Sequence, residues 1–390
     1  MDPYICPEAL DRSNKYYSIK MENLRKLDES YDRMSEIQRA YPAKMIVQTT
    51  DACNLSCVFC QIPKGQKGMH MEKECFDSVV EEIFPTLIEM HPSNIGEPLM
   101  WPLFGHMCEC MEEYGVLLDL TTNGTLLSGK NLDAIEIIAR DVKVSFDGAK
   151  KETFESLRNG AKFEKVCDNV HHLVDVIGNK DHRCISLQMT LMRSNFRELP
   201  ELIDLAHSLG VNKVKAYHLF SFSPELDKES LMMHLSEYED VLKDSLTIGK
   251  ELGIELELAE PPILDGDECH LKPKACHLPW YESWIDIDGA VYPCHSNNGI
   301  DIGNIRDARF FEIWNGEFYR KIRRSIGEGK PAWNCSNCGM LYENRDGYPK
   351  VPYDPENFLS PDYRRENKQR SKIRWSGRMK QFEINRRYTE

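Results

Sequence analysis

The stretch KMIVQTTDACNLSCVFC, residues 44–60, runs from a β-rich segment straight into three cysteines spaced C-x3-C-x2-C: Cys53, Cys57 and Cys60. Residues 44–50 read as a strand through their β-branched content, and the cysteines follow in what would be the first βα loop. Three thiolates on one short loop can wrap one corner of an iron–sulfur cube and leave its fourth iron without a protein ligand. In metalloenzymes such an open position is where a substrate or cofactor binds. The rival readings are three cysteines close by chance, or a zinc site short of a ligand. Neither explains why the group sits at the end of a first strand.

Outward from this stretch, short β-rich runs alternate with helical segments, the pattern that builds a parallel sheet. Strands are expected near 44–50, 93–95, 116–122, 142–146, 184–191 and 213–220, with 254–258 as a seventh candidate. Helices are expected at 71–90, 102–114, 130–140, 162–177, 195–209 and 226–252. Six such units make an α/β fold of the partial (β/α)6 TIM-type barrel kind, whose chemistry lies in loops at the C-terminal ends of the strands. Residues 1–42 read as an N-terminal helical leader, 43–260 as the barrel, 261–345 as a smaller Cys/Gly/Pro-rich domain with a β-hairpin and helix, and 346–390 as a basic C-terminal tail. Within that tail, residues 364–390 hold ten Lys/Arg against three Asp/Glu.

The chain has 390 residues, 41% of them hydrophobic and 29% charged, with a net charge of −14. That composition supports a sizeable core and excludes disordered, collagen-like and low-complexity classes. There is no run of roughly 20 apolar residues for a membrane span and no signal-peptide pattern, so a cytoplasmic protein is expected, with no membrane partner. An acidic chain also argues against general nucleic-acid binding. In a reducing compartment 14 cysteines read as metal ligands or catalysts rather than disulfides.

The motif, its place and the strand order resemble the radical S-adenosylmethionine (SAM) superfamily over about residues 43–258. The resemblance implies a SAM-binding [4Fe–4S] cluster on Cys53, Cys57 and Cys60, and reductive cleavage of SAM to a 5′-deoxyadenosyl radical that abstracts a substrate hydrogen. Gly96-Glu97-Pro98 resembles the end of the family's Gly-Gly-Glu-Pro motif, which accepts hydrogen bonds from the SAM ammonium; Ile95 replaces the first glycine. By the same resemblance Phe59 lies under the adenine, Asn123 near the ribose, and Ser145 with Asp147 on a segment facing SAM. Arg193 could pair with the SAM carboxylate through its planar fork. Asn123-Gly124 also fits a plain turn.

A second group comprises Cys276, twelve residues, Gly289, four residues and Cys294, with Cys335 and Cys338 downstream. By spacing alone four soft ligands suit zinc or iron–sulfur. With the barrel upstream, the pattern resembles the SPASM domain, shortened in the manner of the twitch domain because no cysteine follows Cys338. It implies one auxiliary [4Fe–4S] cluster, closed by four thiolates and suited to electron transfer. Cys269 stays open as a further ligand or a hydrogen donor. Cys75, Cys108, Cys110 and Cys167 lie on expected helices and read as packing residues.

An electron-accepting cluster favours dehydrogenation of a small molecule or sugar, served by a reductant such as flavodoxin or ferredoxin. Peptide crosslinking and epimerisation are the alternatives, and the short segment before the barrel argues against a leader-peptide module. A non-catalytic zinc scaffold is the distant alternative.

Overall fold

The computed structural model of the chain describes residues 5–62, 68–178, 182–219, 224–231, 235–258, 276–294 and 302–329. A short 3₁₀ turn (Pro7–Ala9) precedes α1 (Tyr17–Asp32), and the alternation then begins. It runs β1 (Lys44–Val47), α2 (Lys73–Ile83), β2 (Glu89–His91), α3 (Phe104–Tyr114), β3 (Leu117–Thr122), α4 (Lys130–Ile135) and β4 (Ala139–Ser145). It continues α5 (Lys151–Leu157), α6 (Phe163–Ile177), β5 (Cys184–Leu191), α7 (Leu199–Ser208), β6 (Lys213–His218), α8 (Pro224–Asp227), α9 (Leu235–Leu252) and β7 (Glu255–Leu258). The smaller domain adds α10 (Leu278–Tyr281), β8 (Glu282–Ile285), β9 (Val291–Tyr292), α11 (Phe310–Trp314) and α12 (Glu317–Gly327).

The strands form one sheet in the order β7-β6-β5-β4-β3-β2-β1-β8-β9. Neighbours from β7 to β8 are parallel, and only β9 runs antiparallel, against β8. This is the α/β partial barrel expected, with the seventh strand present. The smaller domain is joined to it more intimately than a separate unit would be, because β8 pairs with β1 from Lys44↔Glu282 to Val47↔Ile285.

One strand lies elsewhere than expected. The second is Glu89–His91 rather than 93–95, and the helix expected over 71–90 stops at Ile83. Pro85 is the physical reason: Phe84 still has helical backbone angles and donates to Val80 O, but Pro85 has no N–H with which to continue the ladder. The helix α5 was not expected at all.

Strand alternation puts Met45, Val47, Leu118, Leu120, Val142, Val144, Leu187 and Met189 under the outer helices, all fully buried. The opposite face carries charge. Lys44 Nζ lies 2.6 Å from Glu89 Oε1 and 3.2 Å from Asp119 Oδ2. His91 Nδ1 is 3.3 Å from Asp119, and Lys143 contacts both Asp119 and Asp141. The barrel interior near the start of the strands is therefore filled by paired ions rather than by aliphatic layers.

The leader is part of the core. Ile5, Leu10, Leu24 and Leu27 pack with Ile88, Trp280, Tyr281, Ile322 and Ile326 in a second apolar cluster. Lys20, buried on α1, donates to the carbonyls of Phe84 and Leu87, just past the end of α2, where a cation also meets the favourable end of the helix dipole. Arg323 on α12 is buried over Trp314 and Tyr319 and donates to the carbonyls of Pro279, Glu36 and Trp314.

Candidate metal centre

The three-cysteine loop leaves β1 through a tightly paired stem. Asp51 N donates to Met69 O at 3.1 Å, Met71 N to Thr49 O at 2.8 Å, and Thr50 forms a bridge with His70. Further along, Ser56 N donates to Asn159 O at 3.0 Å and Val58 N to Leu157 O at 2.9 Å. The C-terminal end of α5 thus holds the middle of the loop. Cys53 and Cys57 are half-buried and Cys60 is exposed.

Three N–H groups are aimed at cysteine sulfurs: Leu55 N to Cys53 Sγ at 3.5 Å, Ile62 N to Cys60 Sγ at 3.4 Å, and Asn123 Nδ2 to Cys53 Sγ at 3.9 Å. Such donors favour thiolate over thiol. Burial alone acts the other way, raising the Cys53 pKa and pushing Cys57 up to about 11. Binding iron would replace the proton and relieve this cost. Among the described residues no three Cys, His, Asp or Glu side chains converge on a single ion-sized point; a cube does not require it, because each thiolate meets a different iron. The donor set and its N–H partners fit an iron–sulfur cluster.

Glu97 is the hub beside the loop. It is 1% exposed, and its carboxylate accepts from Thr122 Oγ1 at 2.8 Å, Asn123 N at 2.7 Å and Leu99 N at 3.3 Å. Burial pushes its pKa up to about 7, against the pull of those hydrogen bonds. Gly96 has φ +87°, and a Cβ there would lie within 2.9 Å of the carbonyl oxygens of Thr50 and Ala52. Only glycine fits both demands. Ile95 has no positive φ, so the backbone there does not call for glycine.

Asn123 belongs to a polar knot. Its Nδ2 donates to Asn54 Oδ1 at 2.8 Å and its Oδ1 accepts from Thr125 N and Thr125 Oγ1. Asn54 Nδ2 donates to Thr125 Oγ1 at 2.8 Å. The side chain is thus committed to the cysteine loop, in addition to making a turn.

Other expected residues are less closely gathered. Ser145 ends β4, half-buried on the inner face. Arg193 is exposed after β5, with its N–H on Glu229 O at 2.8 Å; among the described residues its guanidinium makes no ion pair. Asp147, expected on a segment facing SAM, is fully buried and paired with Arg158, Nε to Oδ2 2.5 Å. Its other oxygen accepts from Thr190 N at 2.6 Å. The sequence reading missed Arg158, whose guanidinium lies 5.9 Å from the centre of the Phe59 ring and lowers the Cys57 pKa against burial. No local pattern marks it, because Asp147 and the cysteine loop that it meets lie in separate segments of the chain.

In the smaller domain, Cys276 packs beside the second apolar cluster and Cys294 follows β9. Gly289, at φ +87°, is needed in the hairpin because a Cβ would meet Asn304 Oδ1 at 2.7 Å. Asn304 Nδ2 donates to Asp288 O at 3.0 Å, and Ile305 N to Gly289 O at 3.0 Å. Gly289 and the segment Ile302-Gly303-Asn304-Ile305 therefore lock the hairpin. Cys269, Cys335, Cys338 and the basic tail lie outside the described residues. Cys75 and Cys108 are buried, while Cys110 and Cys167 pack half-buried against the core. Among the described residues no helix is long and apolar enough to cross a membrane.

Residues 47–206 match the family model for the radical SAM superfamily, and residues 276–339 match SPASM, an iron–sulfur cluster-binding domain. The chain is 28% identical over 310 residues to an AdoMet-dependent heme synthase of Methanosarcina barkeri, covering 72% of this chain and 85% of the relative. It is 24% identical over 307 residues to a PqqA peptide cyclase of Gluconobacter oxydans, covering 75% and 82%. In fold it is similar to Streptococcus suis SuiB bound to its precursor peptide SuiA, with TM-score 0.58, 13% identity, and coverage of 86% of this chain and 78% of that one. The protein described here is thus a member of the radical SAM superfamily with a C-terminal SPASM iron–sulfur domain.

Proposed function

We propose that the protein is a radical SAM enzyme that modifies a peptide, using a SAM-binding [4Fe–4S] cluster on Cys53, Cys57 and Cys60. A second cluster is assigned to Cys276, Cys294, Cys335 and Cys338. The observation that carries the reading is the Glu97–Asn123–Cys53 contact, which sets a buried carboxylate beside a three-thiolate loop. When bound, the reduced cluster and SAM supply a 5′-deoxyadenosyl radical that removes a substrate hydrogen.

The chain's own residues do the holding. Glu97 retains lone-pair capacity for the SAM ammonium beyond its three protein donors, and Gly96 lets the backbone approach the cysteine loop. Asn123 fixes Asn54 and Cys53, while Phe59, backed by Arg158, offers a flat face for the adenine. Ser145 stands on the inner face of the barrel, and Arg193 is the candidate for the SAM carboxylate. A flavodoxin or ferredoxin would deliver the electron.

The peptide assignment rests on the relatives' names, since both the PqqA cyclase and SuiB are named with peptides. Dehydrogenation of a small molecule or sugar is the second reading, favoured by a four-thiolate site suited to accept electrons. Incubating reconstituted protein and SAM with short peptides encoded beside it tests the choice. Peptide mass shifted by hydrogen loss or rearranged fragmentation supports the first reading; unchanged peptides, with oxidation of a sugar alcohol, would replace it by the second.

A further inference from the structure

Gln48 stands one residue beyond β1 and is 4% exposed. Its carboxamide is fully engaged with the loop that leads into Gly96 and Glu97. Oε1 accepts from Asn94 N at 2.7 Å and Ile95 N at 3.1 Å. Nε2 donates to Ile95 O at 2.7 Å and to Thr50 O. Both backbone polar groups of Ile95 are thereby taken by one side chain, as a neighbouring strand would take them. Gln48 N in turn donates to Ile285 O of β8 at 2.8 Å.

The peptide units so gripped come immediately before Gly96, whose positive φ and contact with the stem leave its backbone little freedom. The segment 94–96 is a loop with no strand partner of its own, so its conformation depends on Gln48. We propose that Gln48 is a positioning residue for SAM: its carboxamide fixes the backbone leading into Gly96–Glu97, the part read above as receiving the SAM ammonium. The main-chain bond to Ile285 registers the same residue against the auxiliary-domain hairpin. This proposal rests on the functional reading of the site, and it adds a residue that touches neither SAM nor iron.

An internal control exists. Asn23 on α1 grips the backbone of Tyr41 by two bonds, Nδ2 to Tyr41 O at 2.8 Å and Tyr41 N to Oδ1 at 3.0 Å, but it does so between α1 and the segment that precedes β1. Asn23→Leu removes two such bonds and Gln48→Leu four, so both should lower the melting temperature, Gln48→Leu by more.

The experiment compares wild type, Gln48→Leu, Gln48→Glu and Asn23→Leu, anaerobically reconstituted. It measures iron content, SAM dissociation constant, the SAM-induced change in the reduced-cluster electron paramagnetic resonance spectrum, and amide exchange across residues 91–101 in apoprotein. Gln48→Leu should keep its iron, exchange faster at Asn94 and Ile95, and bind SAM about tenfold more weakly. Gln48→Glu, which retains acceptors for the two N–H groups, should fall between it and wild type. Asn23→Leu should bind SAM as wild type does. Unchanged SAM affinity and exchange in Gln48→Leu would overturn the proposal; if that variant does not fold, unchanged values in Gln48→Glu would do so. Wild type that binds no SAM would refute the functional reading itself.

Discussion

Asn123 gives its backbone N–H to Glu97 Oε2 at 2.7 Å, so the polar residues that follow β3 and β2 are locked together beside the cysteine loop. The same asparagine reaches Cys53 Sγ through its side chain at 3.9 Å. Replacing Asn123 by Ala keeps the N–H but removes the side-chain knot. Iron content should be retained, with SAM affinity reduced several-fold, on the order of 1 kcal/mol. Glu97→Ala leaves three buried donors without an acceptor and should abolish measurable SAM binding while lowering stability by about 2–4 kcal/mol. Equilibrium dialysis and thermal melts of the two variants check both statements.

The pH dependence follows from the Glu97 carboxyl, pushed up to about 7 by burial. A raised carboxyl pKa means that the folded apoprotein holds a proton which the unfolded chain has lost above roughly 4.5. Its contribution to stability is complete below that value and disappears as pH rises through about 7. An incoming ammonium favours the ionised carboxylate, so SAM should bind more tightly as pH rises toward 7, releasing a proton at lower pH. Calorimetry in buffers of different ionisation enthalpy measures that release, and Glu97→Gln should flatten the profile. A profile as steep in Glu97→Gln as in wild type would assign the titration elsewhere.

Arg158 predicts an electrical effect. Its cation acts on Cys57 and is balanced by Asp147. Asp147→Asn would leave the cation uncompensated, favouring the more negative reduced cluster. The midpoint potential should rise by tens of millivolts, on the order expected of local charge changes. Breaking the buried pair should also cost about 3–5 kcal/mol of stability. An unchanged potential would show that the pair is structural only.

How much could be read beforehand is clear from individual residues. Cys53, Cys57, Cys60, Glu97 and Asn123 were legible because each lies in a short motif at the end of a strand. The strand shift to Glu89–His91 could have been read from Pro85, but the short run Leu87-Ile88-Glu89-Met90 looks helical and strand-like alike. Arg158 and Gln48 were not legible, since a buried guanidinium or carboxamide acquires its role only from partners brought together by the fold. The leader's part in the second core was hidden for the same reason, because its apolar face meets α10 and α12 from the far end of the chain.

The charged interior makes a stability prediction. Asp119 lies among Lys44, His91 and Lys143; burial acts to raise its carboxyl pKa, but Lys143 and the other neighbours hold it well below the usual carboxylate range. Asp119→Ala should destabilise the protein by up to about 3–5 kcal/mol, because Lys44 and Lys143 each lose one of two carboxylate partners and keep only Glu89 and Asp141. Denaturant melts at pH 7 measure it. A loss below about 1 kcal/mol would mean that the pairs behave like exposed ones.

The most direct test of the account is product analysis of anaerobically reconstituted, chemically reduced protein incubated with SAM. 5′-Deoxyadenosine and methionine are the expected products, with iron near eight per chain as two four-iron clusters require. The Cys53→Ala, Cys57→Ala, Cys60→Ala triple variant should lose that activity and fall to about four irons. S-adenosylhomocysteine as the sole product, or SAM left intact by a protein carrying its full iron, would contradict it.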